Sequence, residues 1–270
     1  MRLLESAAAA ARIVVFCGIP GVGKSLLLRE QLRLAAELGR RVTRLQWDVA
    51  RQAFETPEIL ARYPEIDGST HPLLRRAVGL WVRDAIADWS ERRPAAHELL
   101  LIEAPLVGAR MIELAAVLAD RAEPLLAHRD AQFLVPTPTR AVRRAIEAAR
   151  RAETRAPRHE RDAANAPPQL VDALWQQVAL AAERLQLPTA EAAADYAPDR
   201  YYAVYRSVLR HRHVSRLPIE QVLENVGSPH ATSAPSEELA PSADQAPALL
   251  AAAEAEGARA AAARAQEWYR

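Results

Sequence analysis

The chain has 270 residues, 35 basic against 34 acidic side chains, and half of its residues are hydrophobic. A chain of this length buries enough surface to fold without disulfides or a structural metal, and its near-neutral charge supplies no general attraction for nucleic acid. The single cysteine, Cys17, cannot form an internal disulfide, which points to a reducing, cytoplasmic setting.

The start, MRLLESAAAAARIVVFCG, has a basic residue ahead of an apolar stretch, as a signal peptide does, but Glu5 and Arg12 interrupt it. No window approaches the ~18 uninterrupted apolar residues of a membrane span, so no membrane partner is expected. Ile13 to Cys17 reads as a short strand buried on both faces, ended by glycine. Ser25 to Leu38 reads as a helix with a leucine-rich face and Gly39 as its stop. Val42 to Gln46 is a second strand. A short helix after Pro57, a loop from Tyr63 to His71 and a long helix from Pro72 to about Arg92 follow. Leu99 to Glu103 is a third strand, with a helix predicted from about Ala109 to Ala119. Gln132 to Val135 is a fourth strand, and Thr139 caps another long helix. Helices from Gln169 to Leu185 and from Pro198 to Arg210 lead to a last strand at His213 to Leu217.

Strands alternating with helices predict an α/β domain over residues 1–227, with a mainly parallel five-stranded sheet between two helical layers. Residues 228–248 are rich in Ser, Pro, Ala and acids and read as a flexible linker. Residues 249–270 read as an Ala-rich C-terminal helix, available to the domain, a second copy or another protein.

Of the 35 basic residues 34 are arginine, and the one lysine is Lys24. Coding bias accounts for scarce lysine, and the 58 alanines agree with it, but bias does not choose the position. Three of the nine glycines, Gly18, Gly21 and Gly23, fall within six residues beside it. The run Gly18-Ile19-Pro20-Gly21-Val22-Gly23-Lys24-Ser25 fits the phosphate-loop (Walker A) pattern, and it lies between a predicted strand and a predicted helix. Glycines let successive backbone N–H groups point at phosphate, with the helix N-terminus behind them. Lys24 is placed to reach the β- and γ-phosphates of ATP and Ser25 to ligate Mg²⁺. A compact ammonium suits this role where a planar guanidinium does not.

The guanine motif Asn-Lys-x-Asp is absent, as is a Leu-Ser-Gly-Gly-Gln signature. The strand LLLIE ends in one acid followed by Ala104, without the Asp-Glu pair of ATP-driven machines. The loop and these absences resemble the P-loop small-molecule kinases, the group that includes nucleoside, nucleotide and uridine-kinase-like enzymes. That resemblance implies a three-layer P-loop NTPase fold with a helical lid. It implies transfer of the γ-phosphoryl group of ATP to a hydroxyl of a small metabolite, such as a nucleoside, with Mg²⁺ present. Asp48 occupies the strand end where such kinases hold an acid against the acceptor hydroxyl; a helix cap is its plain alternative. Glu103, at the carboxyl end of its strand, is placed to hold Mg²⁺ or to act as the base.

Residues 139–161 contain eight Arg and three Glu, the most basic window of the chain. They are similar to the arginine-bearing lid of these kinases, here about residues 139–168, and Arg140, Arg144 and Arg150 are the arginines expected to meet the phosphates. The plain alternative is a solvated basic helix face. Trp47, Phe54, Tyr63, Trp81 and Trp89 read mostly as core, with stacking on a substrate as the alternative; Asp67 to His71 reads as a polar turn in the region where such kinases hold the acceptor, or as a plain connection; His211-Arg212-His213 lacks the spacing of a metal site. The rival in another class is a regulatory ATPase that acts on a protein partner and has no small-molecule acceptor.

Overall fold

The computed structural model describes residues 2–155, 168–187, 196–222 and 235–270. Short runs of β-branched and leucine residues form one sheet of six parallel strands, in the order β5-β4-β1-β3-β2-β6. They are β1 (Ile13–Cys17), β2 (Arg41–Gln46), β3 (Glu98–Ala104), β4 (Ala131–Pro138), β5 (His213–Ile219) and β6 (Glu237–Leu239). The five-stranded expectation is therefore one strand short. β6 was expected as linker, because a three-residue Glu-Glu-Leu edge strand carries no apolar run.

Alternation along each strand sorts the two layers. Val14, Phe16, Leu99 and Leu101 face one side. There they meet α1 (Arg2–Ala10), α2 (Lys24–Glu37) and Val142 of α7 (Arg140–Arg155). Ile13, Val15, Cys17, Leu100 and Ile102 face the other. That side holds α5 (Pro72–Arg92), α8 (Pro168–Arg184) and α9 (Pro198–Val208), with the C-terminal helices α10 (Gln245–Glu256) and α11 (Ala258–Gln266). Three short helices complete the inventory: α3 (Trp47–Ala50), α4 (Pro57–Arg62) and α6 (Glu123–Leu126). Thr139 caps α7 as expected, its hydroxyl accepting from the Val142 N–H at 3.2 Å. Trp47, Phe54, Trp81 and Trp89 are core residues.

The helix expected from about Ala109 to Ala119 does not form. Two 3-10 turns, Val107–Ala109 and Ile112–Leu114, take its place. Leu106, Ala109 and Met111 all have φ near 61°, which a right-handed helix does not accommodate. The segment instead makes a tight turn off the carboxyl end of β3.

The flexible-linker reading of 228–248 also gives way over its described part, where β6 pairs with β2 and α10 begins at Gln245. The C-terminal segment is two helices broken at Gly257, held to α5 by Arg76, whose guanidinium contacts both Glu113 and Glu256. Trp268 is 2 % exposed and packs 6.0 Å from the Tyr205 ring, centroid to centroid. Among the described residues no helix is long and apolar enough to cross a membrane. Trp268→Ala is expected to lower unfolding stability by about 3 kcal/mol. A urea midpoint equal to wild type would show that the C-terminal helices are not part of the core.

Candidate functional site

The glycine run leaves β1 at its carboxyl end, where the Gly18 N–H donates to the Ala104 carbonyl at 3.2 Å, and enters α2 at Lys24. Gly23 sits at the helix N-cap with φ 88°, a conformation that costs glycine nothing and other residues strain. It offers no side chain to the first helical N–H groups. At Gly18 the requirement is space: a Cβ there would lie 2.3 Å from the Tyr201 hydroxyl.

Pairing of β1 with β3 sets Glu103 beside Phe16. Leu99, Leu101 and Glu103 share a face by parity, so the carboxylate projects toward the start of α2. Its Oε1 lies 3.6 Å from Lys24 Nζ, and its Oε2 accepts from Ser25 Oγ at 3.4 Å and from Gln46 Nε2 at 3.2 Å. Lys24 Nζ also donates to the Ile19 carbonyl at 3.1 Å, back across the loop. The sole lysine is thus buried, at 6 % exposure, between its own loop and an acid 79 residues away in sequence. Gln46 was not anticipated as a site residue; its place on the same face of β2, next to Glu103 in register, is the signal that finds it.

Ser25 hydroxyl and Glu103 carboxylate are hard oxygen donors on one side of the loop, as a Mg²⁺ ion accompanied by phosphate and water requires. Among the described residues there is no group of three or more His, Cys, Asp or Glu side chains that would make an all-protein metal site. Protein residues would therefore supply a minority of the ligands.

Asp48 stands apart from this group. Its side chain is 72 % exposed and ion-paired to Arg51 at 3.2 Å within α3 and the following turn. It lies on the rim at the end of β2, as a surface acid does.

Helix α7 borders the loop, but not with the expected arginines. Cβ atoms placed on Gly21 and Gly23 would meet Glu147 Cγ and Ile146 Cδ1 at 3.6 and 3.7 Å. Arg140 is exposed and donates to the Tyr196 carbonyl, Arg144 is exposed, and the side chain of Arg150 lies outside the described residues, as does the lid segment 156–167. Among the described side chains of this helix the buried arginine is Arg143. Its Nε donates to Glu147 Oε1 at 2.7 Å, and its guanidinium lies over the Tyr196 and Trp175 rings at 4.4 and 5.6 Å. Its Nη1 is buried without a hydrogen-bond partner among the described residues. Among the described arginines of this window, Arg143 is the one with a buried donor left unpaired. Its burial depends on aromatic residues of α8 and the approach to α9, so arginine spacing alone does not distinguish it.

The chain matches no known protein family, curated protein or solved structure with which it was compared. The site therefore rests on its own geometry.

Burial pushes the Cys17 thiol far above its ordinary value, with the Lys24 charge only partly opposing the shift. The neutral thiol is unreactive. Iodoacetamide at about pH 8 is expected to leave Cys17 unmodified in native protein and to alkylate it fully in urea. Modification of the native protein, read by mass spectrometry, would place this end of β1 in solvent.

Proposed function

We propose that the protein is an ATP- and Mg²⁺-dependent phosphotransferase of the P-loop kinase type, acting on a hydroxyl of a small metabolite. The observation that carries this reading is the convergence of Lys24, Ser25 and Glu103 where the glycine loop joins β1 to α2. A loop of backbone N–H groups, one ammonium and one hydroxyl–carboxylate pair suit a nucleoside triphosphate with its metal. The site lies at the carboxyl ends of parallel strands, with β3 and β4 on opposite sides of β1, the place where open α/β sheets bind ligands.

In this reading the loop and Lys24 bind the β- and γ-phosphates, and Ser25 with Glu103 holds Mg²⁺. The metal would neutralise charge developing on the transferred group. The ammonium that contacts Glu103 turns toward the nucleotide when phosphate oxygens compete for it. Gln46 keeps Glu103 oriented by donating to the oxygen that Ser25 also uses. Arg143, with its open Nη1, takes the part expected of Arg140, Arg144 and Arg150. Asp48 is exposed and paired with Arg51, and would leave that pair to approach an acceptor hydroxyl.

Lys24→Ala is expected to reduce turnover at least about a hundredfold, and Lys24→Arg nearly as much, since the buried position admits a thin stem and a point charge. Acetylating reagents should modify Lys24 slowly, and Mg-ATP should protect it. Full activity in Lys24→Arg, or unimpeded labelling in saturating ATP, overturns the phosphate contact. Turnover of ATP should rise when the right small hydroxyl compound is drawn from a metabolite panel, with phosphate recovered on that compound. Turnover raised only by a protein partner would instead identify a regulatory ATPase.

A further inference from the structure

Three other buried arginines of the protein meet carboxylates. Arg83 reaches Asp120 and Glu123, Arg212 reaches Glu123, and Arg143 reaches Glu147. Arg75 and Arg110 differ from these three. They are 7 % and 6 % exposed, and no described carboxylate lies within ion-pair distance of either guanidinium. Arg75 donates from Nε to the Thr70 carbonyl at 2.7 Å and from Nη1 to the Gly108 carbonyl at 2.8 Å. Arg110 donates from Nη1 to the Val107 carbonyl at 3.0 Å and from Nη2 to Ser69 Oγ at 2.6 Å. These contacts leave Arg75 Nη2 and Arg110 Nε without a hydrogen-bonding partner among the described residues.

The two guanidinium groups converge. A Cβ on Gly108 would lie 2.7 Å from Arg110 Nη1 and 3.1 Å from Arg75 Nη1, and also 3.1 Å from Gln177 Oε1. That amide oxygen is itself buried without a partner among the described residues. Turning the Gln177 amide over would aim its NH₂ at the same place. Two positive charges packed together whose direct hydrogen-bond acceptors are all neutral are costly. Burial brings Arg75 down to about 10, and burial together with the charge of Arg75 brings Arg110 down to about 9. Arginines needed only to brace a turn do not require such a pairing, and a bound dianion removes its cost.

The location relates the pair to the nucleotide site. The turn that holds Arg110 is closed by a bridge to Leu106, three residues after Glu103, at the carboxyl edge of the sheet. Asp48 and Arg51, at the end of β2, are within electrostatic reach of Arg110. Ser69 belongs to the polar turn at 67–71.

We propose that Arg75 and Arg110 form a binding site for a tetrahedral dianion, a phosphate or sulfate group carried by the acceptor, and so select an anionic acceptor over a neutral one. Assignment of the anion to an acceptor rests on the phosphotransferase reading; the anion site itself does not.

Inorganic phosphate and sulfate, each titrated by calorimetry into the Lys24→Ala variant to silence the glycine loop, should bind at one site. Adding Arg110→Gln or Arg75→Gln should weaken that binding about tenfold or more. ATP affinity of Arg110→Gln alone should equal that of wild type. No saturable binding of either anion, or binding undiminished by both substitutions, overturns the site. Should the arginine variants fail to fold, amide hydrogen exchange of the wild-type protein decides: phosphate is expected to slow residues 105–111 as well as the glycine loop, and slowing confined to 18–25 overturns the proposal. Protection at 105–111 in a protein that does not bind ATP would sink the phosphotransferase reading and leave the anion site standing.

Discussion

The candidate site depends on one register. Pairing β1 with β3 so that Phe16 stands beside Glu103 puts the carboxylate on the α2 side of the sheet, under the first turn of that helix. A slip of one residue would turn Glu103 to the opposite face, against α5, and bury an acid among leucine and tryptophan side chains. Leu99 to Ile102 are apolar toward both faces and so indifferent to the slip, and its cost falls on Glu103 itself. The same parity carries Gln46, so β2 adds its hydrogen bond to the acid without any loop having to be shaped for it. Rigid strand ends, not flexible segments, position the polar groups.

Much of this was legible in the chain because parallel strands buried on both faces announce themselves as continuous apolar runs. IVVFC and LLLI fall where expected, and the acid after LLLI reaches the glycine loop as its place at the strand end implies. What stayed hidden has physical reasons. The region after Pro105 has helical composition, but Leu106, Ala109 and Met111 adopt positive φ under tertiary packing that no local pattern encodes. β6 contains two glutamates and depends on an exposed edge of β2 for its identity. Within α7 the spacing offered several equivalent arginines. The buried one was selected by Trp175 and Tyr196, which lie outside the helix.

The arginine-for-lysine bias of the chain gains a second meaning from the buried sites. Arginine remains charged when desolvated and distributes that charge over a planar fork, so it can be buried as a donor to several carbonyls at once. Arg12 and Arg40 do this near the base of the sheet, where each donates to backbone carbonyls at the ends of neighbouring segments. A bias that began in composition has become structural, with guanidinium groups stitching loops that glycine or proline could not close by themselves. The one position that carries an ammonium is Lys24, buried between the Ile19 carbonyl and Glu103.

An unbroken row of rings runs from Trp175 through Tyr196, Tyr201 and Tyr205 to Trp268 and Tyr269, with neighbouring centroids 4.8 to 6.3 Å apart. Arg143 lies over its first members, Gly18 lies against its middle, and its last residue is one from the end of the chain. Such neighbours are energetically coupled. A change of ring size at Tyr201 would therefore act on Gly18 on one side and on Tyr205 on the other, coupling positions far apart in the chain.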